Sequence, residues 1–267
     1  MAVPNKYLAL IKANWQRGLT YRFTIVAYRV GEIAEMLLVL VLWSAIFSAS
    51  GEPLLRDFTY QEMVTYFLIG NLFNMVVRSF AEDRIANDIK RGRLSVYLLQ
   101  PVSYLGANFV RGFASLATLM SVASQLIVML FFLNTIAINT NLAYLVVITT
   151  MAIFAFVIEF MIAYLIGLIA FWTDETDGVS ASISRIKRFF AGSYFPLNLL
   201  PATFVNISFL LPFGYSFFIP AQLYLKKIDL SLGLKGLVVE VVWIIALYGV
   251  IALVWRCGLK RYESIGI

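Results

Sequence analysis

Long, nearly uncharged apolar runs decide what this chain can fold into. Five of them, at about 31–50, 60–80, 103–133, 141–172 and 233–255, reach the roughly 20 mostly apolar residues that a helix needs to cross ~30 Å of hydrocarbon. A soluble domain has no interior for so much apolar surface. Of the 267 residues, 61% are hydrophobic and 13% charged, against roughly 25% charged in an average soluble domain, and the mean hydropathy is +0.85. The sequence predicts an all-α membrane protein. The third and fourth runs exceed one bilayer and are expected to tilt or to project into water.

The basic residues set the orientation. Every Lys and Arg except Arg56, Lys226, Lys227 and Lys235 falls in the N-terminal segment, the 78–111 region, the 173–188 segment or the C-terminal segment. Cytoplasmic loops carry such an excess, so both ends are expected on the cytoplasmic side. The formal charge of +6 suits an anionic inner leaflet rather than nucleic acid. With no His and a single Cys, Cys257, histidine base chemistry, the usual zinc sets and an internal disulfide are excluded. Lys6, Lys12 and Arg17 interrupt any apolar core of a cleavable leader.

That orientation requires an odd number of crossings between 173 and 232, a stretch in which Phe189 to Leu225 contains no charge. Pro196, Pro201, Pro212 and Pro220, four of the 7 prolines, crowd into it. Proline ends or kinks a helix, and broken backbone inside hydrocarbon survives only when shielded by protein or facing a wet cavity. The four prolines are therefore read as breakpoints: a fifth span ends near Pro196, two short half-helices dip in and return over 197–225, and a sixth span follows. One kinked helix with a long apolar loop is the plainer alternative.

Residues 1–30 repeat Leu8, Ile11, Trp15, Leu19, Phe23 and Val26 in steps of three or four beside five cations, the pattern of a helix lying in the interface. Trp15 and Tyr7 argue against a solvated arm. The region 81–102 contains the most charged segment of the chain, Glu82 to Gly92. It holds Glu82, Asp83, Arg84, Asp88, Lys90 and Arg91, then Gly92, which can stop a helix, then Leu94, Tyr97, Leu98 and Leu99 before Pro101.

Ionisable residues inside spans are costly and mark candidate pathways. Glu32, Glu35, Arg78, Arg111 and Glu159 are of this kind, and mutual neutralisation across helices would account for them equally. Asn71, Asn74 and Arg78 share one face of span two. Ala114, Ala117, Ser121 and Ser124 form a small-residue stripe suited to close packing. Arg185, Lys187 and Arg188 are surface anchors if span five starts at Phe189. They lie at bilayer depth, facing a wet cavity, if it starts near Asp177. No GxxxxGK[ST] phosphate loop occurs in the sequence, so ATP would have to be used by a partner.

The segments "GSYFPLNLLP" (Gly192–Pro201) and "PFGYSFFIP" (Pro212–Pro220), the six-span outline and "DIKRGRLSVYLLQPVSYLG" (Asp88–Gly106) together resemble the type-2 ABC transporter permeases over essentially the whole chain. Small bacterial permeases paired with a separate ATPase are the nearest subgroup. The resemblance implies an ABCG-like, or type V exporter, fold: six transmembrane helices, an N-terminal amphipathic interfacial helix, a cytoplasmic coupling helix and a re-entrant helical pair between spans five and six. It implies two copies of an ABC ATPase, which bind ATP and Mg, beneath two permeases, either this chain twice or a sister permease. No cofactor is expected in this chain. The membrane would be the bacterial inner membrane. The ATPase is expected to meet Glu82, Asp83, Arg84, Asp88, Lys90, Arg91, Gly92 and Leu94. An amphipathic or lipid-like cargo is expected to pass Asn71, Asn74, Arg78, Arg111, Glu159, Arg185 and Arg188 on its way out. A lipid-acting membrane enzyme using Asp174, Glu175 and Asp177, which a solvated loop explains better, and a secondary transporter, which would usually show internal repeats, are the alternatives.

Overall fold

In the computed structural model, which describes residues 4–20, 22–55, 57–100, 102–113 and 116–262 (side chains at 4–10, 17, 22, 113 and 116 excepted), helix follows helix along the chain. Among the described residues the extended structure amounts to a lone bridge between Leu55 and Phe58. Arg56, Pro101 and Ala114 lie outside the described residues, as do the side chains of Lys6, Tyr7, Leu8, Arg17 and Arg22.

Helix α1 (Pro4–Thr20) leads into α2 (Arg22–Ser50). The α2 helix starts well before residue 31, inside the region expected to lie along the interface. Its one early charge with a described side chain, Arg29, is met within the helix by Glu32 at 2.5 Å, so the helix continues through it. Helix α3 (Tyr60–Val77) opens on a capping box: Thr59 accepts from the Glu62 amide, and Glu62 accepts from the Thr59 amide, so two orphan donors are satisfied at once. Two short helices follow, α4 (Ala81–Lys90) and α5 (Leu94–Leu98), parted by Gly92 at φ +70°, a left-handed turn that residues with a Cβ adopt reluctantly. Helices α6 (Tyr104–Phe113) and α7 (Leu116–Phe131) make up the third apolar run, and α8 (Leu142–Leu168), capped by Asn141, makes up the fourth.

The proline-rich region becomes α9 (Asp177–Phe190), α10 (Ala202–Leu210) and α11 (Phe218–Tyr224), with short 3-10 turns at 197–199 and 212–216. Helix α9 starts at Asp177 and stops at Phe190, ahead of Pro196, because Gly192 takes φ +74° and its carbonyl accepts from the buried Tyr66 hydroxyl at 2.8 Å. Pro196 and Pro201 precede the first 3-10 turn and α10, Pro212 opens the second turn, and Pro220 lies in the first turn of α11, where a missing amide donor costs least. Helix α12 (Leu230–Arg261) closes the chain.

Five helical stretches among the described residues are long and apolar enough to cross a membrane: Phe23–Ser50, Tyr60–Lys90, Tyr104–Phe131, Leu142–Phe171 and Leu230–Arg261. The α9 helix, with 14 residues, covers about 21 Å. Helices α8 and α12 pack side by side in the same direction. Gly233 meets Val147, Gly236 meets Met151 and Gly258 meets Phe171, and a Cβ at Gly258 would lie 2.1 Å from the Phe171 ring. The chain between Phe171 and Leu230 therefore travels back from one end of the bundle to the other.

We call the end holding α4 and α5 basal and the opposite end apical. Apical loops are tied together. Lys227 pairs with Glu62 at 2.9 Å, donates to the Asp57 carbonyl and lies 4.6 Å from the Phe58 ring centroid, while Asn139 Nδ2 donates to the Tyr224 carbonyl at 2.7 Å. The packed interior has an apical half around Tyr66, Phe67, Phe217 and Phe218 and a basal half around Ile85, Leu94, Tyr104, Phe160 and Tyr164.

Candidate functional site

A cavity of about 910 Å³ opens between α2, α3, α8 and α9. Its lower wall begins at Phe23 on α2, and Phe67 and Phe217 sit at the other extreme. These two rings pack 6.4 Å apart between centroids, and Gly70 gives Phe217 its place, since a Cβ there would fall 2.3 Å from the ring. The second 3-10 turn, in the proline-rich region, thus supplies the roof.

The walls carry Glu32 and Glu35 from α2, Arg78 from the end of α3, Glu159 from α8, and Lys187 and Arg188 from α9. Acids and cations match three to three, and each acid is paired. Arg78 reaches Glu32 at 3.2 Å, Lys187 is bonded to Glu159, and Arg188 is bonded to Glu35. Behind the wall, Arg29 also holds Glu32 and donates to Ser121 of α7. Two neighbouring residues of α9 thus tie it to two different helices. The pairs differ in kind: the side chains of Glu159 and Lys187 are 6% and 21% exposed, those of Arg188 and Glu35 46% and 54%. Exposed pairs contribute little to stability and exchange partners readily, whereas a buried pair holds its geometry because either charge alone would be stranded.

Asn71, Asn74, Arg78, Glu159 and Arg188 come together in this cavity. Asn71 also donates to Gln125 of α7 at 3.2 Å. Arg111 and Arg185 are elsewhere. Arg111 donates to the Tyr97 hydroxyl at 2.7 Å near the basal end, and Arg185 is exposed on α9 outside the cavity. Lys187, Ser193 and Ser216 join the lining. Lys187 was legible as part of the basic trio, but its partner Glu159 belongs to a different helix, and no local spacing reveals that match. Of the small-residue stripe, Ser121 and Ser124 are buried; Ser121 accepts from Arg29 of α2, and Ser124 donates to the Ser121 carbonyl within α7.

The basal segment has two faces. Ala81, Ile85, Ala86 and Ile89 of α4 are buried against α8, where Gly167 lets Ile85 approach: a Cβ at Gly167 would lie 2.6 Å from Ile85 Cβ and 2.9 Å from the Glu82 carbonyl. Of the residues expected to face a partner, Asp83 and Arg91 are exposed. Asp88, Gly92 and Leu94 are buried and brace the segment from behind. Asp88 pairs with Arg93 at 3.1 Å and accepts from the Tyr104 hydroxyl. Arg84 is committed to Asn108 at 2.9 Å, and Glu82 is half-buried. Lys90 donates to Thr176, the residue that precedes α9, at 3.0 Å. Leu98 and Leu99 stand out instead, the latter 88% exposed.

One acid stands apart from all of this. Glu240 of α12 is fully buried, and neither carboxyl oxygen has a hydrogen-bond partner among the described residues. It follows Gly236, which packs on Tyr215, and precedes Trp243, which donates to the Leu210 carbonyl, so it faces the roof segment.

Comparison with protein families matches residues 33–266 to a model described as ABC-2 family transporter protein. No curated protein matches the chain.

Proposed function

This chain belongs to the ABC-2 family of transporter proteins, and from that premise we propose that it is the permease of an ATP-driven exporter for amphipathic or lipid-like cargo. Its membrane-spanning helices would form half of a pathway completed by a second permease, identical or sister. Two copies of a separate ATPase would sit beneath, supplying ATP hydrolysis with Mg, in a bacterial inner membrane with the basal end cytoplasmic.

The observation that carries this reading is the cavity: apolar rings above, three acids and three cations along its walls, and a helix, α9, tied to two neighbours by adjacent residues. An amphiphile has chemistry for both parts. Support for six crossings comes from the parallel course of α8 and α12. The stretch between them would use α9 and the residues after it as a fifth span, then α10 and α11 as the re-entrant pair. Backbone that leaves helical form at such depth needs protein or water around it, and the cavity and apical core provide that.

Force applied to α4 and α5 has two routes inward. One runs through the Ile85–Gly167 contact to α8, the other through Lys90 and Thr176 to the start of α9. A basal push by ATPase closure would therefore reach the helix that bears Lys187 and Arg188. Switching of this sort requires two packed arrangements of unequal affinity for cargo.

Co-purification with a nucleotide-binding subunit, followed by ATP-dependent efflux of a fluorescent amphiphile from vesicles holding both, tests the proposal. Transport by this chain alone, with no ATPase, would sink it in favour of a secondary transporter.

A further inference from the structure

A second cavity, of about 390 Å³, lies at the basal end between α5, α6, α8 and α12, away from the ionic cavity. We propose that it holds the head and first methylenes of an anionic membrane phospholipid. This inference does not depend on the transport reading.

The walls suit that occupant in three ways. Trp255 stacks on Tyr104 with ring centroids 5.6 Å apart and planes 21° from parallel, and Tyr97 meets Tyr104 edge-on at 5.2 Å. The Tyr97 hydroxyl accepts from Arg111 and the Tyr104 hydroxyl donates to Asp88, neither of which lines the cavity, while Gln100 and Ser103 in the lining offer polar groups for a head group beside the ring faces. Amphipathic rings of this kind sit at the level of lipid heads. Along α12 the lining continues from Arg256 back to Tyr248, a rise of about 12 Å from the level of the heads toward hydrocarbon. The single charge in the lining is Arg256, which is exposed and makes no ion pair among the described residues. A cation with no ion pair among the described residues, set beside aromatic rings, complements a phosphate. The volume equals that of about thirteen waters at ~30 Å³ each, enough for a head group and its first methylenes but not for a whole lipid, whose tails would run on along the outside of α12. Such a lipid bridges α5 to α12, so lipid composition would act on the basal segment.

Quenching by brominated lipids in nanodiscs tests this. Variants of the full chain would keep one of the 5 tryptophans, Trp255 in the cavity or Trp172, a basal residue outside it. Brominated phosphatidylglycerol is expected to quench Trp255 as if locally enriched about fivefold over brominated phosphatidylcholine, the size of one basic residue's attraction at an anionic surface, and Trp172 much less selectively. Arg256→Gln should bring Trp255 down to the selectivity of Trp172, and Arg256→Lys should preserve the preference. With all tryptophans in place, native mass spectrometry should show one retained phosphatidylglycerol fewer for Arg256→Gln. Equal selectivity at Trp255 and Trp172, absence of quenching at Trp255, or an unchanged preference and lipid count in Arg256→Gln each overturns the proposal.

Discussion

Lys187 of α9 is bonded to Glu159 of α8 at the inner wall of the ionic cavity, with the glutamate side chain 6% exposed. Removing one partner strands the other, which costs about 3–5 kcal/mol for buried pairs, while removing both together costs far less. Lys187→Met is therefore expected to lower thermal stability in detergent by about 3 kcal/mol, and Lys187→Met with Glu159→Gln to recover most of it. Unfolding followed by tryptophan fluorescence checks the non-additivity.

Arg188 and Glu35 form the solvent-accessible counterpart. Arg188→Glu is expected to change stability by less than about 1 kcal/mol yet to reduce ATP-driven efflux at least tenfold, because α9 loses its tie to α2. Efflux should return partly when Glu35→Arg is added. In a Cys257→Ser background, Arg188→Cys is expected to react with a water-soluble thiol reagent and to be protected by cargo, while Arg185→Cys, outside the cavity, reacts without protection.

Gly167→Ala introduces a methyl 2.6 Å from Ile85 Cβ and 2.9 Å from a backbone carbonyl. Overpacking of this kind costs about 1–3 kcal/mol, and α4 must shift to relieve it. We expect a lower melting temperature and at least a halved stimulation of the partner ATPase by cargo. Gly249→Ala, where a Cβ has open space, should do neither.

Glu240→Gln keeps the shape of a buried side chain whose oxygens have no donor among the described residues. It should leave the melting temperature unchanged or raise it, since an unpaired buried acid is expensive. Glu240→Ala leaves a void and should cost about 2 kcal/mol. A loss in the amide variant as large as in the alanine variant would mean that the carboxyl is held by a donor.

The apolar runs at 141–172 and 233–255 foretold α8 and α12 because a continuous apolar run leaves a chain few other options. Gly92 likewise announced the break between α4 and α5, through its own backbone freedom. The reach of α2 back to Arg22 was hidden, since it depends on Arg29 finding Glu32 and Ser121. The end of α9 depends on Tyr66, distant in sequence, whose hydroxyl holds Gly192, and no local signal before Pro196 announces it. The same limit applies to the cavity. Glu32, Glu35 and Glu159 could be recognised as costly charges one at a time, but their pairing with Arg78, Arg188 and Lys187 exists only once four helices are assembled. Burial of Asp88 and Leu94 was equally invisible, because α4 and α5 look amphipathic whichever face turns inward.

The apical ties from Lys227 to Glu62 and Asp57, and from Asn139 to Tyr224, bear on which end of the bundle can move. With those loops fastened, and the rings of Tyr66, Phe67 and Phe217 packed edge to face beneath them, the apical ends of α3, α8 and α11 are held as one piece, and rearrangement is left to the basal half.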